Sequence, residues 1–286
     1  MPRTDHEGDR WVVLKFGGTS VSSKERWQTI AQVVQERIAE GLRPLVVCSA
    51  VSGVSDALEK GVAESVAGAE ASTLDTLTSR HEQLAQELGL PFPGPIETEL
   101  ADLARLFQGA ALLGEMSPRL QARVLAHGEL MSTRLGAAFL NAEGVGTTWI
   151  DARECLTTLP GQDANRAFLS ATCDSALDLK LQERLGALDA GVLLTQGFIA
   201  STPEGETALR DPSTTQTSGA SSTGRVRPSS RTSICRWKSA AGPSTQTPSA
   251  WRPRWATARD IFSTSTREGG SPRKQSNPPI PPNEPS

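Results

Sequence analysis

The first residues able to do chemistry form one short string: Lys15, then the Gly17-Gly18 pair, then Thr19 and Ser20. A lysine ammonium is a point charge for an anion, and adjacent glycines let a chain turn and bring backbone N–H groups close to it. Thr19 and Ser20 carry hydroxyls that can cap the next helix, whose N-terminus also favours negative charge. Together they have the composition of a phosphate site, although a plain strand–turn–helix connection with Lys15 reaching solvent uses the same residues. Ser49 and Ser55 bracket a second small-residue stretch that either meets a ligand or caps a helix. Glu129 interrupts an apolar stretch directly after His127-Gly128. Glycine costs about 1 kcal/mol against alanine inside a helix, so Gly128 fits close approach of another backbone or a ligand. The alternative for Glu129 is a helix-surface carboxylate beside Arg123 or Arg134. His127 reads as a neighbour that positions the helix, Asp151 and Arg153 as loop charges, and His81 as part of a solvated helix face. Neither a Ser-His-Asp set nor a Gly-x-Ser-x-Gly turn accompanies them.

The elements that must carry these groups alternate. Residues 11–16 are a continuous apolar run apart from Lys15, which suits a central parallel strand buried on both faces. Residues 22–40 follow the helical period, with Trp27, Ile30, Val33, Val34 and Ile38 on one face and Gly41 as the stop. Leu45 to Cys48 form a second buried strand, completing a βαβ unit that favours a parallel sheet with covering helices. Residues 55–113 are mainly helical, with loop signals at Pro91 to Pro95. Ser117-Pro118 opens a long helix that stops near Gly144. Trp149-Ile150 and Val192 to Leu194 are short strands. The fold class expected is α/β, a three-layer αβα sandwich with a mainly parallel sheet, incomplete at its C-terminal side.

Composition divides the 286 residues in two. Residues 1–210 hold 18 Lys/Arg against 28 Asp/Glu, a net of −10, whereas 211–286 hold 11 against 4, a net of +7. The last leucine is Leu209, and 11 of the 19 prolines lie beyond residue 210. A Ser/Thr/Pro/Arg-rich segment of this kind buries too little apolar surface to offset an ordering cost of about 1–2 kcal/mol per residue, and disorder is expected there. Its arginines are interleaved with Trp237, Trp251 and Trp255, but they are scattered and no recognition motif accompanies them, which argues against a nucleic-acid partner. Cys48, Cys155, Cys173 and Cys235 form no CxxC pair, so neither a zinc site nor a disulfide framework is expected. The polar first ten residues are unlike a signal peptide, and no run of about 18 apolar residues suggests a membrane span; a cytoplasmic protein is expected.

Four strings resemble aspartokinases, within the amino-acid kinase superfamily. They are Lys15-Phe16-Gly17-Gly18-Thr19-Ser20-Val21, residues 44–56 as a second strand and its loop, His127-Gly128-Glu129-Leu130-Met131-Ser132-Thr133, and Thr195-Gln196-Gly197-Phe198-Ile199-Ala200. They occur in family order and span about residues 11–209. The resemblance implies a phosphotransferase that uses ATP and Mg²⁺ to convert L-aspartate to 4-phospho-L-aspartate, the entry step towards lysine, threonine and methionine. The parent could be a stand-alone enzyme or a fusion such as aspartokinase/diaminopimelate decarboxylase. It implies that Lys15 contacts the phosphoryl group in transfer, with Gly17, Gly18, Thr19 and Ser20 on the phosphates. Ser49 and Ser55 would donate hydroxyls to a substrate carboxylate, and Glu129 would pair with the substrate α-ammonium. Where such enzymes often carry Thr-Asn, this chain has Ser55-Asp56, which keeps the hydroxyl and adds a negative charge. A homo-oligomer is compatible with an intact domain.

The resemblance stops at Leu209. Aspartokinases usually continue into Leu-Gly-Arg-Gly-Gly-Ser-Asp; here Leu209 is followed by Arg210-Asp211-Pro212-Ser213. The expected organisation is therefore a polar extension over 1–10, the N-terminal part of an amino-acid kinase domain over 11–209, and a basic tail over 210–286. Loss of the coding frame near residue 209 would produce such a tail, and a genuine disordered segment is the alternative. A catalytically inactive fragment, holding the substrate half of a site without its ATP half, is the second functional expectation.

Overall fold

The computed structural model describes residues 11–68, 71–173 and 178–211. The expected N-terminal extension, and the tail from residue 212 onward, lie outside the described residues.

Strand β1 (Trp11–Phe16) feeds a 3-10 turn and helix α1 (Lys24–Ala39), which returns to β2 (Arg43–Cys48). The two strands pair in parallel, in register from Trp11↔Arg43 to Phe16↔Cys48. This is the βαβ unit that the alternation of apolar runs predicts. Helix α1 buries Trp27, Ile30, Ala31 and Val34, while Ile38, in its last turn, is 40% exposed. Four long helices follow in two pairs: α2 (Val54–Val66) and α3 (Ala71–Leu88), then α4 (Glu97–Leu113) and α5 (Pro118–Ala142). Ser117 caps α5, its side chain accepting from the Leu120 N–H, with Pro118 in the first turn as the sequence predicts.

The chain then adds β3 (Thr147–Trp149), the short helices α6 (Ala164–Leu169) and α7 (Leu179–Gly186), β4 (Val192–Gln196), and the hairpin β5 (Ile199–Ser201) and β6 (Thr207–Leu209). The main sheet runs β1-β2-β4-β3, and every pairing in it is parallel. Alternate residues serve opposite layers, as the strand period of two requires. Trp11, Val13, Leu45, Val47 and Leu193 pack with Leu181 and Leu185 of α7 on one side. Helix α1 packs on β2, and α5 on β2, β3 and β4. The result is the expected αβα sandwich. The antiparallel β5–β6 hairpin lies on α5, where Ile199 and Leu209 join Ala122, Ala126 and Leu130 in one cluster.

One expectation fails in this helical layer. His81 is not on a solvated face but fully buried, with Nδ1 2.7 Å from the Leu77 carbonyl oxygen. It shares the inward stripe of α3 with Leu77, Leu84, Ala85 and Leu88, spaced at i−4, i+3, i+4 and i+7. The polar neighbours Glu82, Gln83 and Glu87 had masked that stripe. Burial holds the His81 imidazole below its ordinary pKa.

Candidate functional site

Three strand ends and one helix converge on Glu129. Parallel pairing sets Lys15 and Phe16 of β1 beside Val47 and Cys48 of β2, and Cys48 beside Gln196 of β4. The carboxyl ends of the three strands thus form one rim, the place where open α/β sheets bind ligands. Helix α5 brings Glu129 to it from below. The helix approaches closely because residue 128 has no side chain: a Cβ there would lie 2.9 Å from Ala50 Cβ and 3.2 Å from Leu58 Cδ1. The glycine thus serves close approach of a neighbouring segment. One turn further on, Ser132 Oγ donates to the Ser49 carbonyl at 2.7 Å, tying α5 to the end of β2.

Glu129 is only 5% exposed, so the helix-surface alternative does not hold. Arg123 pairs instead with Asp102 and Arg134 with Glu99. Glu129 Oε2 accepts the backbone N–H groups of Gly197 and Phe198, at 2.9 and 2.8 Å. Burial raises the carboxyl pKa to about 7, while the Phe198 and Gly197 N–H groups and the charges of Lys15 and Arg210 act in the opposite direction. Among the described residues, Oε1 takes no hydrogen bond. With Oε2 committed to the two turn N–H groups, a carboxylate held in this way can accept from a ligand donor through its other oxygen.

Lys15 is exposed at the end of β1 and reaches the field of Glu129. The glycine pair divides its roles. Gly17 is exposed with nothing near its missing side chain, whereas a Cβ on Gly18 would lie 2.6 Å from the Ala50 carbonyl oxygen. Gly18 therefore lets the turn seat against the 50–52 loop, where its carbonyl accepts from Ser22 Oγ at 2.5 Å and from the Ser52 N–H at 3.3 Å. The capping role expected of Thr19 and Ser20 is not found. Both lie inside the 3-10 turn Gly18–Val21, and Ser23 is the N-cap residue of α1. The reason is spacing: the chain makes a full 3-10 turn before the helix begins. Ser49 is half-buried at the rim, joined to α5 through its carbonyl. Ser55 and Asp56 are exposed in the first turn of α2.

His127 is a structural neighbour, as expected: Nδ1 lies 2.7 Å from the Arg123 carbonyl oxygen and Nε2 3.4 Å from Asp102 Oδ2. The His127 hydrogen bond, opposed by desolvation and helped by Arg123, holds Asp102 down at about 2. Asp151 and Arg153 form a bidentate pair, and Arg153 also donates to Thr207 Oγ1 at 3.1 Å, fastening the β5–β6 hairpin.

Three residues escaped the sequence. Arg210 begins the region expected to be unstructured, yet its backbone N–H donates to the Phe198 carbonyl at 2.8 Å and its Nη1 to the Gly197 carbonyl at 3.1 Å. Nothing local signals this, because the contact is made across the hairpin. Ser132 and Thr133 had a usable signal: on a helix they stand three and four residues from Glu129, on its own side.

The amino acid kinase family profile matches residues 10–219. The chain belongs to the amino acid kinase family. It is 32% identical over 203 residues to the lysine-sensitive aspartokinase 3 of Escherichia coli (strain K12), covering 68% of this chain and 42% of that protein. It is 30% identical over 207 residues to the chloroplastic bifunctional aspartokinase/homoserine dehydrogenase 1 of Arabidopsis thaliana, covering 69% of this chain and 22% of the relative. The crystal structure of E. coli aspartokinase III in complex with aspartate and ADP superposes with a TM-score of 0.58 at 31% identity, over 70% of this chain and 43% of that one. This amino acid kinase chain thus spans less than half the length of these relatives. Among its described residues no helix is long and apolar enough to cross a membrane.

Proposed function

We propose that residues 11–209 are the N-terminal, substrate-binding part of an aspartate kinase domain, whose reaction is ATP + L-aspartate to ADP + 4-phospho-L-aspartate, at the head of lysine, threonine and methionine synthesis. The observation that carries this reading is the buried Glu129 carboxylate at the strand ends, with Lys15 and Arg210 in its field. An α-amino dicarboxylic acid has the complementary charges, one ammonium and two carboxylates. Glu129 takes the ammonium, and Ser49 and Ser55 supply hydroxyls towards a carboxylate. Likeness to a protein crystallised with aspartate and ADP supports the same choice.

In the reaction a side-chain carboxylate oxygen of aspartate forms a bond to the γ-phosphorus as the bond from that phosphorus to the β,γ-bridging oxygen breaks, with ADP as leaving group. Such transfers are mostly positioning and charge stabilisation. Lys15 supplies a point charge for the transferring group, and Gly17, Gly18, Thr19 and Ser20 line the turn beside it. No group of three or more His, Cys, Asp or Glu placed to hold a metal occurs among the described residues; magnesium commonly binds through one or two carboxylates plus substrate phosphates and would enter with the nucleotide, as its phosphate complex.

A second reading, substrate binding without turnover, is favoured by the sequence Leu209-Arg210-Asp211-Pro212, which stands where the family's glycine loop would begin. Isothermal titration with L-aspartate and a coupled ATP/aspartate assay on the full chain separate the two. Binding with turnover supports the kinase, binding without turnover supports the half-site, and absence of binding overturns both. Reading the gene around codon 209 tests the frame-loss expectation: no Gly-Arg-Gly-Gly-Ser-Asp continuation in another frame refutes it.

A further inference from the structure

We propose that Gln196 is a positioning residue: its carboxamide locks the Gly197–Phe198 turn to helix α5, so that both backbone N–H groups of the turn stay aimed at Glu129. Gln196 ends β4, is 1% exposed, and directly precedes the two residues whose N–H groups bind Glu129 Oε2. Its Oε1 accepts the Ala152 N–H at 2.8 Å, and its Nε2 donates to Thr133 Oγ1 at 2.8 Å.

The inventory of Thr133 makes this arrangement one-way. A hydroxyl has one proton and two acceptor positions. The Thr133 hydroxyl donates to the carbonyl oxygen of Glu129 itself, at 2.7 Å, and accepts from Trp149 Nε1 at 2.9 Å as well as from Gln196. With its proton committed to the backbone, Thr133 can only accept from Gln196, so the amide cannot flip without stranding two buried groups. The Trp149 indole is held in turn by the Arg134 guanidinium, 4.0 Å above its ring, and Arg134 pairs with the buried Glu99. One chain of contacts therefore runs from Glu99 on α4 to the turn that binds Glu129. Glu99, Thr133 and Gln196 on it are buried, where a satisfied polar network orients its members strongly.

The inference rests on the kinase reading only for its consequence for ligand binding; the effect on Glu129 itself is independent of any ligand. The test is carboxyl ¹³C NMR of the full chain labelled at glutamate, following the Glu129 titration midpoint. The variants are Gln196→Met, Thr133→Val and Thr133→Ser. If the network aims the turn, Q196M and T133V weaken the N–H bonds to the carboxylate. The Glu129 midpoint then rises by about one pH unit, the size of one charge-assisted hydrogen bond. T133S, which keeps the hydroxyl, retains the wild-type midpoint. Should Q196M not fold, T133V against T133S carries the same comparison. A lowered melting temperature with an unmoved midpoint in Q196M and T133V overturns the proposal. L-Aspartate titrations run alongside should show about tenfold weaker binding in the shifted variants. No aspartate binding by the wild type, with the midpoints shifting as expected, refutes the kinase reading and leaves the positioning role standing.

Discussion

Glu129→Gln should remove a large pH dependence from the stability of this protein. The carboxyl group ionises near 4.5 when free and at about 7 in the folded chain, where it is buried. Between those values the native state holds a proton that the unfolded state has released. The stabilisation from that proton is full below about pH 4.5 and is lost as the pH rises through about 7. The 2.5-unit gap between 4.5 and about 7 corresponds to about 3 kcal/mol at 1.36 kcal/mol per unit, a substantial part of a typical domain stability of about 5–15 kcal/mol. With a urea m-value of about 2 kcal/mol/M, the unfolding midpoint moves by about 1.5 M. The assay is urea unfolding by far-UV circular dichroism from pH 4.5 to 8, on wild type and E129Q in parallel. His81 works in the opposite direction: its lowered pKa makes the unfolded state the better proton acceptor just below pH 6.5, so its contribution is lost as the pH falls. It is common to both chains and cancels in their difference. The wild-type minus E129Q stability should fall by about 3 kcal/mol across the range. A flat difference would show that the carboxyl is solvated or fully compensated by Lys15, Arg210 and the turn N–H groups, and would refute the burial argument.

Replacing Gly136 by alanine should destabilise the chain by about 1–3 kcal/mol in thermal unfolding, because a Cβ there overlaps the fully buried Trp27 ring. His81→Leu should flatten the acid side of the stability profile just below pH 6.5, measured by the same urea series, since the imidazole is buried neutral. Lys15→Met should leave the melting temperature nearly unchanged, as the side chain is exposed; if the chain turns over, the variant should lower kcat by about 10²–10³, the usual cost of removing one donor to developing charge. Gly128→Ala should push α5 away from Ala50 and Leu58 and weaken L-aspartate binding in calorimetry, with Gly109→Ala, which meets nothing within 4 Å, as the control.

The βαβ opening, the long helix from Pro118 and the strand at Val192 were legible because their signals are local. An apolar run, a Ser-Pro cap or a glycine stop each act within a few residues, and Ser117 and Gly41 behave as their positions predict. The burial of His81 is also encoded locally, in its helical spacing with Leu84, Ala85 and Leu88, although Glu82, Gln83 and Glu87 give the segment a polar look. The family likewise follows from sequence, since four short strings in order specify it. The state of Glu129 does not. Whether that residue is an exposed helix charge or a buried carboxyl titrating at about 7 depends on Gly197 and Phe198, 68 and 69 residues away, and on Lys15 and Arg210. The same holds for Gln196, whose partner Thr133 lies 63 residues distant, and for Gly18, whose small size matters because Ala50 backs onto it. Sequence by itself determined which elements form and which family they belong to, because propensity, capping and periodicity act through near neighbours. Tertiary structure alone decided burial, charge state and aim, because desolvation and hydrogen bonding depend on which distant segments close over a side chain.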